Sequence, residues 1–200
     1  MRIPRVIALG LILAAAGQQL QAQEPRPLGT ERAVEAAFGN NALQVRYLSP
    51  APFDQIKSSL DYGVLLTEDR EFVGSAALMF DTDLNVVPRL RVELGPQGYL
   101  ARLAAQQKTD VFAIAFGANA RYDVVPTLRI SAVGSAFYSP GVLTFGSAHN
   151  LYDFTAGGEI GFTPRLTGLA GYRWFKFTLV GEPDERVQNE IFAGLRWRLE

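Results

Sequence analysis

The chain has 200 residues, of which 48% are hydrophobic and 20% are charged, and it contains no cysteine. This length and apolar share suit one folded domain and argue against a disordered chain. The absence of cysteine argues against a disulfide scaffold. The formal net charge is −1. Nucleic-acid binding requires a basic surface, so we predict no nucleic-acid partner.

The first segment has the three parts of a secretion signal. Arginines stand at positions 2 and 5, the stretch from Val6 to Ala16 is almost wholly apolar, and Ala22 offers a small residue at a cut site. The apolar run is shorter than the roughly 20 residues of a membrane-spanning helix. We therefore predict a cleaved signal peptide over residues 1–22 and a single β-barrel domain over 23–200. A buried N-terminal helix is the alternative.

Apolar residues alternate with polar or small residues along most of the mature chain, which is typical of β-strands with one apolar face. The alternation slips between Gly95 and Gly98, around Pro96, and predicts a bulge or a break there. Many of the later strands reach the roughly 9–11 residues that a tilted strand needs to cross a bilayer. The ten predicted strands are 31–39, 42–49, 57–67, 71–82, 87–105, 109–122, 126–138, 150–163, 166–178 and 189–199.

The predicted connections alternate in length in the second half of the chain. Residues 123–125 and 163–165 make tight turns, whereas 139–150 and 179–188 are long. Outer-membrane barrels have short periplasmic turns and long external loops. The sequence therefore predicts an all-β, antiparallel, up-and-down transmembrane barrel in the outer membrane of a Gram-negative bacterium. We expect ten strands, with eight as the alternative, and a soluble barrel is the competing interpretation.

The two faces of these strands have different predicted surroundings. The apolar face would meet outer-membrane lipid, and the other face would line the lumen. Aromatic residues near strand ends, Phe175 and Phe177 among them, are predicted to form two interfacial girdles. The predicted lipid-facing residues are Phe112, Ile114, Phe116, Tyr152, Phe154, Ile160, Leu195 and Trp197. The predicted lumen-lining residues are Arg46, Arg91, Glu93, Arg121, Arg129, Asp153, Glu159, Arg173, Arg196 and Arg198.

The positive charges of the predicted lumen are arginines. Arginine forms bidentate pairs with carboxylates and tolerates burial better than lysine. Small barrels are filled by their own side chains, so we predict an arginine–carboxylate network that fills the lumen. The predicted role is structural, in the cell envelope and without catalysis. A narrow pore or transporter for small solutes is one alternative, and a hydrolase at the barrel rim is another.

The residues offer few candidates for catalysis or metal binding. His149 is the chain's one histidine and the one candidate general base, beside Ser147 in a predicted external loop. Nothing in the sequence sets a nucleophile on a rigid element beside it, so we predict no catalytic residue. One histidine and no cysteine argue against zinc. Asp81 and Asp83 lack the glycine and terminal glutamate of a calcium loop, and we predict no metal and no cofactor.

Four segments of the second half resemble the YfaZ family of outer-membrane proteins. They are Gly117–Tyr122 (GANARY), Ala136–Ser147 (AFYSPGVLTFGS), Gly171–Trp174 (GYRW) and Phe192–Arg198 (FAGLRWR). The likeness extends from about Leu60 to the C-terminus. The resemblance implies an outer-membrane β-barrel of unknown activity, and it supplies no catalytic residue.

The C-terminal strand is the predicted contact with the barrel-assembly machinery. Outer-membrane barrels usually end on an aromatic residue that this machinery reads. Here the chain ends Trp197-Arg198-Leu199-Glu200, so Leu199 occupies the apolar slot and Glu200 overhangs it.

Overall fold

The computed structural model of the chain describes residues 31–53, 57–82, 87–104, 109–181 and 184–199. The predicted signal peptide lies outside these ranges. Within them no helix is long and apolar enough to cross a membrane. The strands are β1 (Arg32–Phe38), β2 (Ala42–Pro50), β3 (Ser58–Thr67), β4 (Phe72–Thr82), β5 (Leu90–Leu103), β6 (Thr109–Val125), β7 (Ile130–Ser139), β8 (Thr144–Gly146), β9 (Ala148–Gly161), β10 (Leu166–Leu179) and β11 (Glu185–Leu199).

Ten of these strands form a closed antiparallel barrel. Strands β1 to β7 pair in sequence order, β7 pairs with β9, and β9, β10 and β11 follow. Pairing of β1 with β11, from Arg32↔Leu199 to Phe38↔Ala193, closes the ring. The prediction of an all-β, antiparallel barrel of ten strands is therefore confirmed, and the alternative of eight is wrong.

The short strand β8 is an addition that the alternation did not predict. It pairs with β6 at Val111↔Gly146 to Ala113↔Thr144, beyond the point where β7 leaves β6 at Phe116↔Tyr138. Strands β7 and β8 thus occupy one position in the ring in succession, and the chain between them makes a short 3-10 turn over Gly141–Leu143.

Most predicted strand boundaries lie within a few residues of the observed ones. The seventh strand begins at Ile130 and not at 126, because Pro126–Leu128 forms a 3-10 turn that Arg129 ends in a left-handed conformation, with φ at 52°. Proline suits the first position of such a turn, since it has no N–H to lose. The last strand begins at Glu185, so the connection before it is shorter than predicted.

The bulge or break predicted between Gly95 and Gly98 is absent from β5 itself, but the pairing with β4 is interrupted there, between Ala77↔Gln97 and Phe80↔Leu94. Strand β5 keeps one register with β6 from Leu90↔Tyr122 to Leu103↔Thr109. A close approach to β4 explains the unusual sequence, because a Cβ on Gly95 would lie 2.0 Å from the carbonyl oxygen of Leu78. Only glycine fits at that point of the strand, and the face alternation continues past it.

The barrel has two unlike ends. The turn end carries the start of β1, the end of β11 and the tight connections 126–129 and 162–165. The loop end carries the connections 140–147, which contains β8, and 180–184. The predicted alternation of short and long connections in the second half holds for 140–147 but not for 180–184, which has five residues against four in each tight turn. The first half of the chain does not follow this pattern, because the short connection 39–41, of three residues, lies at the loop end.

Candidate functional site: the barrel interior

The side chains divide sharply between the outside and the inside of the barrel. All eight predicted lipid-facing residues lie on the outer face, where Phe116 is 58% exposed and Trp197 is 52% exposed. On the opposite face the same strands bury charged groups, among them Asp153 and Glu159. Contact of the outer face with lipid stays a prediction.

A chain of alternating charges runs around the turn-end half of the interior, and Glu35 on β1 joins two of its arginines. Glu35 accepts a hydrogen bond from Nη2 of Arg196 at 2.8 Å, and Nη1 of Arg46 lies 3.5 Å from its Oε1. Arg46 also forms a short ion pair with Asp61 on β3. We call the whole chain of charges the ladder, and in order it comprises Asp61, Arg46, Glu35, Arg196, Glu159, Arg121 and Asp123.

The second half of the ladder depends on Glu159 of β9. Its two carboxylate oxygens lie 2.7 Å from Nη1 of Arg196 and 2.5 Å from Nη1 of Arg121. Arg121 reaches Asp123 at 3.3 Å, and Asp123 accepts a hydrogen bond from Ser131 at 2.8 Å. Each charge of the ladder therefore has an opposite charge within reach, which stabilises buried ions.

A separate ion pair lies deeper, near the middle of the barrel. Arg173 on β10 donates two hydrogen bonds to Asp153 on β9, at 2.9 and 2.7 Å. The Asp153 carboxylate also accepts a hydrogen bond of 2.9 Å from the Tyr99 hydroxyl. The Arg173 guanidinium lies 4.9 Å from the centre of the Phe175 ring. This pair therefore marks the boundary between the charged and the apolar interior.

Apolar side chains fill the loop-end half of the interior. Tyr99, Phe175 and Phe177 are 1% exposed or less, and their rings pack at tilted angles, with centres 5.6 and 5.2 Å apart. We call this cluster the plug, and its larger members are Leu65, Val73, Met79, Tyr99, Leu103, Val111, Phe137, Leu151, Phe175, Phe177, Leu179 and Val187. The predicted arginine–carboxylate network is present, but it occupies only part of the lumen.

The plug also corrects the predicted girdles. Phe175 and Phe177 face inward, whereas Trp174 lies on the outer face of the same strand. Aromatic residues stand on both faces of β10 between Tyr172 and Phe177, so hydrophobicity alone did not distinguish the faces there.

A buried carboxylate lies at the loop end. Glu71, just before β4, is 3% exposed and accepts hydrogen bonds from the Thr67 hydroxyl at 3.3 Å and the Ala104 N–H at 3.4 Å. Burial raises the pKa of Glu71 because it disfavours the charged form. The charge of Glu185 acts in the same direction.

A cavity of about 150 Å³ separates the ladder from the plug. Its charged lining comes from both ion-pair systems and includes Arg46, Arg121, Arg173 and Arg196. Neutral polar side chains supply much of the remaining wall, and they are Gln44, Ser75, Gln97, Asn119, Ser135 and Thr155.

The remaining predicted lumen residues lie nearer the turn end. Glu93 is buried and its carboxylate lies 3.5 Å from the Ser59 hydroxyl; Arg91, on the same face of β5, is half-buried. Arg129 belongs to the turn before β7, and its side chain lies over Gly161. A Cβ added to Gly161 would lie 2.8 Å from the Arg129 Cβ. Arg198 lies at the rim and pairs with Glu31 at 2.7 Å.

Three ladder members were missing from the predicted lumen. Glu35 lies on β1, where alanines occur on both faces and weaken the alternation. Asp61 lies between the apolar residues Leu60 and Tyr62 on β3, and this alternation is enough to assign Asp61 to the inner face. Asp123 was placed in a turn, but β6 extends to Val125.

His149 occupies an irregular position at the start of β9. The pairing with β10 passes from Thr178↔Asn150 to Leu179↔Ala148, so His149 has no opposite residue. Its ring packs against Gly141, where a Cβ would lie 2.6 Å from Cε1. Among the described residues, no hydrogen bond joins His149 to a serine or a carboxylate, and none of their acidic or histidine groups forms a cluster that could hold a metal ion.

We expect His149→Ala to leave assembly of the barrel unchanged, because the side chain is exposed and lies at the loop end against Gly141. Hydrolysis of nitrophenyl esters by the purified wild type and variant measures any catalytic role. Activity in the wild type that disappears in the variant would establish the rim hydrolase instead.

Aromatic residues form a belt on the outer face near the loop end. Tyr138, Tyr152, Trp174 and Phe154 follow one another with ring centres 5.0 to 6.0 Å apart. Lys176 lies 5.7 Å from the Tyr152 ring. Phe162, at the turn end, is ten residues beyond Tyr152. At about 3.3 Å per residue and a tilt of about 40°, that spacing is about 25 Å along the barrel axis, the height of an outer-membrane apolar band.

A family model described as YfaZ precursor matches residues 67–199, from the end of β3 to the end of β11. The matched region includes every larger plug residue except Leu65, together with the deep ion pair and the second half of the ladder. No curated protein matches the chain.

Proposed function

The chain belongs to the YfaZ family, and from that premise we propose that it is an outer-membrane β-barrel with a structural role in the cell envelope and no catalytic activity. The carrying observation is the division of its faces: apolar and aromatic side chains outside, paired charges inside. A water-soluble monomer rarely exposes a continuous apolar surface of this kind. Lipid is the solvent that matches it, and this favours the membrane barrel over the soluble one.

Export and assembly complete this proposal. Residues 1–22 would be removed as the signal peptide, and an even strand number would leave both termini in the periplasm. Strand β11 is both the C-terminal strand and the strand that closes the ring on β1. It is therefore the element that the barrel-assembly machinery would bind.

The plug supports a non-conducting barrel over the pore alternative. A water path through the loop-end half would have to pass Tyr99, Phe175 and Phe177, each 1% exposed or less. We expect no single-channel steps when the purified protein is added to a planar lipid bilayer. Reproducible steps, with a conductance that Arg121→Ala changes, would establish the pore.

Placing a charge on the outer face tests the assignment of that face to lipid. Ala118 lies on the outer face of β6, between Leu94 of β5 and Ala136 of β7. Ala118→Arg is expected to cost about 2–4 kcal/mol of unfolding free energy if it lies near the bilayer midplane. Urea unfolding in lipid vesicles measures this cost.

The control for this variant places the same charge outside the strands. Val142 lies in the loop between β7 and β8 and is 82% exposed, so Val142→Arg should leave the unfolding midpoint unchanged. Equal midpoints for both variants would mean that the outer face does not contact lipid.

A further inference from the structure

The cavity between the ladder and the plug has a wall of neutral polar side chains. Gln44 comes from β2, Gln97 from β5 and Thr155 from β9, so the contributions are spread around the ring. We call the set the polar belt, and it comprises Gln44, Ser75, Gln97, Asn119, Ser135 and Thr155.

Most of the polar belt has unused hydrogen-bonding capacity. Asn119 contacts the Glu93 carboxylate. Among the described residues, the side chains of the other five make no hydrogen bond. Amides and hydroxyls each carry a donor and an acceptor, and interior polar groups are normally satisfied. The belt therefore offers both donors and acceptors to whatever occupies the cavity.

The charges around the cavity do not define an anion site. Arg46, Arg121, Arg173 and Arg196 line it, and each already pairs with at least one carboxylate. These charges are compensated, and among the described residues Arg173 Nη1 is the one buried guanidinium nitrogen without a hydrogen-bond partner. The cavity therefore offers the neutral belt and one charged donor, which a hydroxyl oxygen can accept from. Phe137 also lines the cavity and adds apolar surface, which suits the C–H groups of a small organic molecule.

The size of the cavity limits the molecule that fits. A water molecule occupies about 10–15 Å³ of cavity, so about 150 Å³ holds about ten water-sized groups. The plug closes the loop end. The way in is therefore the turn end, past the ladder arginines, whose side chains are 18–27% exposed.

We propose that this cavity is a binding site for a small, neutral, hydroxyl-rich solute of about five or six carbons, a polyol or a monosaccharide. Each hydroxyl of such a solute both donates and accepts hydrogen bonds, as the belt does. The site goes beyond a structural role, and it does not depend on membrane insertion, because it is built wholly from inward-facing side chains.

Calorimetric titration of the folded barrel in detergent micelles tests the proposal, with glucose and xylitol as neutral probes and acetate and phosphate as anionic probes. We expect saturable binding of glucose or xylitol. Gln97→Leu should weaken it at least tenfold by removing an amide at similar volume, and Ser135→Leu should abolish it by filling the cavity. Ser147→Leu, in the exposed loop, is the matched control and should bind as the wild type does.

A heat-dependent gel shift checks that each variant folds. If a leucine variant does not fold, Thr155→Val is tested in its place, because valine keeps the shape of the threonine side chain. The proposal is overturned if neither neutral probe binds, if binding persists unchanged in the folded belt variants, or if only the anions bind. Each of these results concerns the cavity alone and leaves the membrane assignment of the barrel to its own test.

Discussion

Glu159→Ala is expected to lower the unfolding free energy of the barrel by about 3–5 kcal/mol, the usual cost of removing one partner from a buried ion pair. Glu159 bridges Arg196 at 2.7 Å and Arg121 at 2.5 Å, and its side chain is 3% exposed. Without the Glu159 carboxylate, the guanidinium groups of Arg121 and Arg196 would each lose one negative partner inside the barrel. The loss should appear as a lower midpoint in denaturant unfolding.

An exposed ion pair provides the control for this variant. Arg102 and Asp110 lie 2.8 Å apart at the loop end, with side chains 64% and 67% exposed. Solvent and salt screen such pairs, so Asp110→Ala should leave the midpoint unchanged. If Glu159→Ala shifts the midpoint no more than Asp110→Ala does, the ladder does not stabilise the barrel.

Gly157→Ala is expected to cost about 1–3 kcal/mol, as overpacking does in a tightly packed interior. Gly157 faces inward on β9, and a Cβ there would lie 2.4 Å from the Ala170 carbonyl oxygen and 2.9 Å from the Gly171 Cα. Strands β9 and β10 would have to separate to make room. Other inward glycines are equally confined by backbone, namely Gly95, Gly117, Gly171 and Gly194, and small barrels need such positions where the sheet curves.

The neighbouring residue provides a matched control for this prediction. Gly158 lies on the outer face of the same strand, and a Cβ there would meet only the Ser131 carbonyl oxygen, at 3.6 Å. Gly158→Ala should be neutral or stabilise by up to about 1 kcal/mol, because alanine loses less backbone entropy on folding. Denaturant midpoints compare the two variants. Equal midpoints would mean that close strand contact at Gly157 does not limit the fold.

The alternation of the sequence predicted the ring because the side-chain period of a strand fixes the face of every residue in it. Strand β11 shows this clearly, with Leu195 and Trp197 outside and Arg196 inside. Strand β8 was missed because three residues are too few to show a period.

The interior was less predictable, because a period of two gives the face of a residue but not its height along the barrel. Val133 and Phe137 share the inner face of β7, yet only Phe137 belongs to the plug. The ladder depends on register between strands far apart in the chain: Glu35 meets Arg196, 161 positions away. A single sequence does not contain that register, so the charges could be predicted but their pairing could not.

Fractionation of cells that express the full precursor, followed by gel electrophoresis with and without heating, tests the central claim most directly. We predict a band in the outer-membrane fraction that shifts on heating, with Gln23 as its new N-terminus. A soluble periplasmic band that does not shift would contradict the claim. The outer face would then cover a water-soluble protein, and the lipid-facing residues and the girdles would lose their assignment together.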